Sequence, residues 1–225
     1  MSIICGVDEA GRGPIIGPLV MVAATIEEHE EYRLKELGVK DSKQLTPAQR
    51  ERIFAQLEEL EKEGILHYAT KSIPPEQIDV AVNGNTTNLN YLEADTSLLL
   101  VNGLLQQIKI GSVYVDCPSP NIKAYKAYLR ERIAEPIEII AEHKADENYL
   151  IVSAASILAK VLRDRAIEAI KAEIGIDFGS GYLTDPQTQE FLNNHAEKFN
   201  LIFRKSWISY RRVINNKNQK KLKEF

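Results

Sequence analysis

The sequence predicts an α/β fold: a central mixed five-stranded sheet flanked by helices, followed by a helical C-terminal region. Three observations predict it. Two strand-like apolar runs, "SIICGVD" and "PLVMVAATIE", come first and are joined by a glycine-rich turn, as in an antiparallel pair. Later strand-like runs alternate with helical stretches, the pattern of parallel strands joined by crossovers. The chain has 225 residues, 44% of them hydrophobic, so it can bury a sizeable core without disulfides.

In chain order, a short helix is expected over 29–37, ahead of the polar loop "KDSKQL". "TPAQRERIFAQLEELEKEG" is the clearest helix: Thr46 caps it, Pro47 takes the first position, Gln49 completes a capping box and Gly64 ends it. "ILHYATKSI" reads as the third strand, followed by a helical turn and the polar loop "NGNTTNLN". Residues 90–109 read as an apolar-faced helix, and "SVYVDCP" as a short buried strand that ends at Asp116 and is stopped by Pro118. A helix over 121–134 leads to the fifth strand, "IEIIAEHKAD", which runs out at Asp146. A long helix follows over about 147–174, and Asp185-Pro186 opens another that ends near Asn200.

Cys5 and Cys117 sit inside apolar strand runs and read as buried thiols in a reducing compartment. "MSIICGV" is too short and lacks the basic flank of a signal peptide. The longest apolar stretch, "YLIVSAASILAKVL", is too short to span a bilayer and contains Lys160. A soluble cytoplasmic protein is expected, with no membrane partner. The net charge of −4 argues against nucleic acid, but its distribution argues the other way. Residues 204–225 hold eight Lys or Arg and one Glu, a charge of +7 that leaves −11 on the rest. An acidic body with a basic tail is an asymmetry of nucleic-acid or partner binding; a solvated helical tail is the plainer reading.

Chemistry concentrates where strands end. The first strand delivers Asp8 and Glu9, the fourth Asp116, and the fifth gives way to a helix at Asp146. If these ends are neighbours, the carboxylates converge and repel, so some must protonate or a cation must sit between them. Oxygen-only ligands suit Mg²⁺, and a two-metal site breaks phosphodiesters in line. Taken singly, Asp146 could cap a helix and Asp116 could begin a turn. Adjacent acids at the end of an apolar strand are harder to explain without a compensating partner. The turn that follows, Gly11-Arg12-Gly13, exposes N–H groups and carries a guanidinium suited to phosphate. It lacks the Gly-Lys-Ser/Thr ending and the following helix of a nucleotide P-loop. His143, near Asp146, reads as a strand residue.

"GVDEAGRGPIIGPLV", "KDSKQL", "VYVDCP", "KAD", "SAASILAKVLRDR" and "GSGYLTDPQT" resemble, in order and from residue 3 to about 212, ribonuclease HII in its archaeal form. The resemblance implies a ribonuclease H-like fold. It implies cleavage of the RNA strand of RNA–DNA hybrids and cutting 5′ of single ribonucleotides embedded in duplex DNA, giving 5′-phosphate products. It implies that Asp8, Glu9, Asp116 and Asp146 are the catalytic, metal-binding acids, holding two ions of Mg²⁺ or Mn²⁺. It assigns the reading of the ribose 2′-hydroxyl to the backbone of Gly11, Arg12 and Gly13, junction sensing to Tyr182, and positions near DNA phosphates to Lys43 and Lys160. On this reading 1–174 is the catalytic domain, 175–214 a helical region packed on it, and 215–225 a basic tail; the protein acts as a monomer. The alternatives are another nuclease of the same fold, of the ribonuclease HIII or junction-resolvase type, and a non-catalytic nucleic-acid-binding protein whose carboxylates are structural. In the tail, Gln219, Leu222 and Phe225 resemble the clamp-binding motif of replication proteins, Gln-x-x-aliphatic-x-x-aromatic-aromatic, without its second aromatic. This implies a tether to a sliding clamp (PCNA), the alternative being a basic tail that meets DNA. The surrounding lysines would keep the free tail extended.

Overall fold

The computed structural model describes residues 2–84 and 87–223, with side chains to residue 219. The strands are β1 (Ile3–Ala10), β2 (Leu19–Glu27), β3 (Leu66–Ile73), β4 (Ile110–Asp116) and β5 (Glu138–Glu142), and they form one sheet in the order β3-β2-β1-β4-β5. β1 pairs antiparallel with β2, from Ile3 opposite Glu27 to Ala10 opposite Val20. β4 lies parallel to β1, and β5 parallel to β4. The mixed sheet read from the sequence is therefore present. The helices are α1 (Glu31–Glu36), α2 (Pro47–Lys62), α3 (Pro75–Asn83), α4 (Leu89–Leu105), α5 (Ile122–Arg132), α6 (Ala145–Asn148), α7 (Leu150–Ile174), α8 (Pro186–His195) and α9 (Ile208–Lys223).

The chain divides into two compact units. The first comprises Met1–Ala10, Val20–Ser72 and Asn90–Leu162 and holds the sheet. Its core packs Val22, Ala24 and Ile26 of β2 with Ile53, Phe54 and Leu57 of α2 and Ile151 to Leu158 of α7. α2 begins with the capping box read from the sequence: the Thr46 hydroxyl accepts from Gln49 N–H, and the Gln49 side chain accepts from Thr46 N–H. Glycine is required at residue 6, because a Cβ there would lie 2.5 Å from the Ile151 backbone. β1 and the start of α7 thus meet backbone to backbone, two residues before Asp8.

The second unit comprises Gly11–Leu19, Ile73–Leu89 and Arg163–Phe225. Ile15, Ile16, Ile167, Phe178, Phe191 and Phe203 form its core. Loop 11–18 is held on two sides. Ile15 and Ile16 N–H donate to Gly181 O, while Gly17 N–H donates to Ile202 O and Arg204 N–H to Ile15 O.

Four expectations are corrected. β5 stops at Glu142, not Asp146, because its partner β4 ends at Asp116 and leaves nothing further to pair with. Lys144 then takes a left-handed turn at φ 59°, and Asp146 falls in the first turn of α6 rather than on a strand or at a cap. The turn expected after β3 is a nine-residue helix, anchored by buried Ile78 and Ala81. The tail after 214, expected to be extended when free, continues the helix to Lys223, because Tyr210, Val213 and Ile214 place one face of α9 on the second core. Arg204 does not belong to a solvated tail: it is fully buried.

Candidate active site

The parallel pairing of β1 and β4 builds the site. Val7 lies opposite Val115, so the next residues, Asp8 and Asp116, emerge side by side at the same edge of the sheet. Carboxylate oxygens of Asp8, Glu9 and Asp116 lie within 4.8 Å of one another, a group that could hold a metal ion. Asp8 is 5% exposed and accepts a 2.6 Å hydrogen bond from Glu9 N–H. Asp116 is tied to the start of α6 by Ala145 N–H, which donates to its Oδ1 at 3.0 Å.

Asp146 reaches the same neighbourhood from α6. It is 2% exposed, and Ser153 Oγ donates to its backbone oxygen at 2.6 Å. Its Oδ2 lies 3.4 Å from Lys43 Nζ, whereas its buried Oδ1 accepts no hydrogen bond. The fields of Asp146 act on both Asp8 and Asp116. Burial, and then the charge of Asp116, push the Asp8 carboxyl up to about 8 against the opposing pull of Ser156 and the Glu9 N–H. Burial likewise raises Asp116, against the Ala145 N–H and together with the charge of Asp146. Converging Asp8 and Asp116, both raised by burial, with the orphaned Asp146 oxygen beside them, are a donor set that fits a hard divalent cation.

Lys43 stands in a single 3₁₀ turn, Ser42–Gln44, whose Asp41 cap accepts from Lys43 N–H at 2.9 Å. Arg50 fastens this loop from beneath by donating to Ser42 O and Leu45 O. The Ser42 and Ser156 hydroxyls lie 3.0 Å apart. Lys160 is half-buried on α7, one turn beyond Ser156.

In the second unit, Gly13 and Tyr182 are neighbours: a Cβ on Gly13 would lie 3.7 Å from Tyr182 Cε1. The buried Arg163 guanidinium sits 5.0 Å from the centre of the Tyr182 ring, and its Nη2 donates to Ser180 O at 3.0 Å. Arg12 is half-buried and Gly13 exposed. Gln219 is exposed on α9; the Leu222 side chain and Phe225 lie outside the described residues. His143, taken as a strand residue, follows β5, and its Nδ1 lies 2.8 Å from Cys117 O.

Sequence reasoning did not single out Ser156, Arg163 or Arg204. The first two lie inside "SAASILAKVLRDR", so their stretch was visible while their roles were not. Arg204 was counted among tail charges, and only burial separates it from them.

Acids gathered at the parallel ends of β1 and β4, able to hold a divalent cation, place the chain among nucleases of the ribonuclease H type. The Ribonuclease HII family model matches residues 5–210. A ribonuclease HII from Pyrococcus abyssi is 44% identical over 93% of this chain and 90% of its own length. Among solved structures, the ribonuclease H2 from Pyrococcus horikoshii OT3 superposes with a TM-score of 0.83 at 42% identity, covering 95% of this chain and 98% of that one. A chain of the PCNA:RNase HII complex from Archaeoglobus fulgidus gives 0.74 at 37% identity, covering 86% and 87%. The chain belongs to the ribonuclease HII family.

Proposed function

We propose that this endonuclease hydrolyses the RNA strand of RNA–DNA hybrids and cuts 5′ of single ribonucleotides in duplex DNA, leaving 5′-phosphates. The observation that carries the reading is the group of buried Asp8 with half-buried Glu9 and Asp116, and buried Asp146 beside it, in a chain of this family. Asp8, Asp116 and Asp146 would hold two divalent cations, Mg²⁺ or Mn²⁺, with Glu9 supporting the position nearest the ribose. Bound there, such ions lower the pKa of an attacking water and stabilise the departing 3′ oxygen. Lys43 and Lys160 neutralise phosphates. The N–H groups of loop 11–13 bind the ribose 2′-hydroxyl, the group that marks RNA at a given site. Tyr182 packs on the next sugar, where an added hydroxyl would disturb it. No helix among the described residues is long and apolar enough to cross a membrane.

The test is cleavage of a labelled duplex holding one ribonucleotide. A cut on its 5′ side that requires Mg²⁺ or Mn²⁺ supports the reading; cleavage that persists in EDTA, or none at all, defeats it. The clamp motif at Gln219, Leu222 and Phe225, together with a relative solved with PCNA, supports a tether to a sliding clamp.

A further inference from the structure

We infer that Arg204 and Trp207 are positioning residues that aim the peptide groups of loop 11–13, and thereby set how strictly the enzyme demands a 2′-hydroxyl. The inference rests on the proposed reading of that loop as the ribose reader.

Arg204 is fully buried, yet its guanidinium is spread over backbone carbonyls nearly two hundred residues away in sequence. Nη2 donates to Gly11 O at 2.5 Å and to Gly17 O at 3.0 Å. Nη1 donates to Arg12 O at 2.7 Å, and Nε to Gly17 O at 3.1 Å. The guanidinium carbon lies 5.0 Å from the centre of the Trp207 ring, and Trp207 Nε1 donates to Gly13 O at 3.2 Å. The carbonyls of three consecutive residues, Gly11, Arg12 and Gly13, are thus bound by two side chains of one short segment.

Peptide planarity turns this into a statement about donors. In a trans peptide the carbonyl and the next N–H point in opposite directions. Holding Gly11 O on Arg204 directs Arg12 N–H away from it, and holding Arg12 O directs Gly13 N–H away as well. Gly13 O precedes Pro14, which has no N–H, so the outward row ends there. Two successive backbone donors facing outward form a small concavity for an oxygen ligand. The bend needs a left-handed residue at its start: Gly11 has φ +88°, and a Cβ there would meet Pro18 O at 2.7 Å.

The chemistry also explains the residue types. A buried charge is costly unless hydrogen bonds compensate it, and the carbonyls of residues 11, 12 and 17 do so here. Only arginine offers a rigid fork of donors able to reach several acceptors; lysine is a point charge on a flexible stem. A loop fixed this way cannot relax to meet a deoxyribose, so a substrate without the hydroxyl forfeits that hydrogen bond, which is the basis of strong discrimination.

The test compares two conservative variants. W207F keeps the ring over Arg204 but removes the N–H; R204K keeps the charge but not the fork. Each is assayed with Mg²⁺ on a duplex holding one ribonucleotide and on the same duplex with a 2′-fluoro-2′-deoxyribonucleotide in its place. An all-DNA duplex serves as competitive inhibitor, and thermal melting monitors the fold. The wild type should prefer ribose strongly in kcat/KM. W207F should reduce that preference about tenfold and R204K more, with the inhibition constant of the all-DNA duplex within twofold of wild type. If R204K melts below the assay temperature, W207F decides alone. A ribose-to-fluoro ratio unchanged in the folded variants overturns the positioning role and leaves the loop's reading standing. A wild type that cleaves both duplexes equally well overturns the loop's reading and this inference with it.

Discussion

The ammonium of Lys43 lies 3.4 Å from the Asp146 carboxylate, joining an exposed lysine on a 3₁₀ turn to a buried acid on α6, 103 residues away. On the proposed reading, the pair would link substrate charge to the acidic cluster. Partial burial works against the Lys43 charge, but Asp146, Asp41 and Asp8 outweigh it and hold the amine above its ordinary value. Lys43→Met should therefore weaken binding of the ribonucleotide duplex and reduce the slope of log affinity against log salt by about 0.9. Lys160→Met should act the same way. An unaltered slope, measured by fluorescence anisotropy over a range of salt, would place either lysine away from the phosphates.

Asp8→Asn removes a charge that the proposed ions need and leaves the shape of the site intact. Cleavage should fall by roughly 10³-fold or more, on the scale of losing a principal catalytic group. Near-normal turnover of the variant would show that Asp8 is not a cation ligand.

The same carboxyl makes metal-free stability depend on pH. Its folded pKa of about 8 lies above the unfolded value near 3.8, so between these limits the folded state binds more protons than the unfolded one. Stability conferred by Asp8 is fully present below about pH 4 and is lost as pH rises through about 8. In EDTA the melting temperature should drop by several degrees from pH 5.5 to 8.5, and Asp8→Asn or added Mg²⁺ should reduce that drop. Scanning calorimetry with and without metal reads this directly; a slope identical in wild type and Asp8→Asn would mean that other groups set it.

The Arg163 guanidinium lies over the Tyr182 ring, and Tyr182 is beside Gly13. Tyr182→Ala should lower kcat/KM on a duplex with one ribonucleotide about tenfold or more, and the loss should be smaller on a continuous hybrid, which has no RNA-to-DNA step at the cut. The Mg²⁺ concentration giving half-maximal rate should not move, since Tyr182 is not a ligand. Equal loss on both substrates would assign Tyr182 to general binding.

For the tail, a peptide of residues 215–225 should bind the sliding clamp of the same organism, and Leu222→Ala with Phe225→Ala should abolish binding. The spacing of three residues is that of a plug for an apolar pocket, since any helical turn brings positions i and i+3 to one side. Calorimetric titration that detects no binding at high micromolar peptide, or binding that survives both substitutions, would remove the tether.

The acids at strand ends were legible in the sequence because the strand signal and the acid signal coincide. An apolar run that stops at Asp8 or Asp116 announces both the element and the edge where its acid emerges. The capping box of α2 was legible for a similar reason, since its partners are only three residues apart. Asp146 was recognised as an acid of the site but misplaced by one element, because β5 ends where its neighbour ends, and pairing is a property of two segments. A helical region to 214 and a solvated helical tail were both legible, but not one helix over 208–223 packed on a core: Tyr210, Val213 and Ile214 carry a weak signal in a run dominated by Lys, Arg and Asn until a core exists for them to cover. Arg204 marks the limit most clearly. The sequence by itself determined that a basic residue stands there, one among eight near the C-terminus. Only the tertiary structure decided that this charge turns inward to the carbonyls of Gly11, Arg12 and Gly17 while Arg211 and Arg212 face solvent. Local sequence sets which groups can ionise or donate; which of them leaves water depends on acceptors that the fold brings from the other end of the chain.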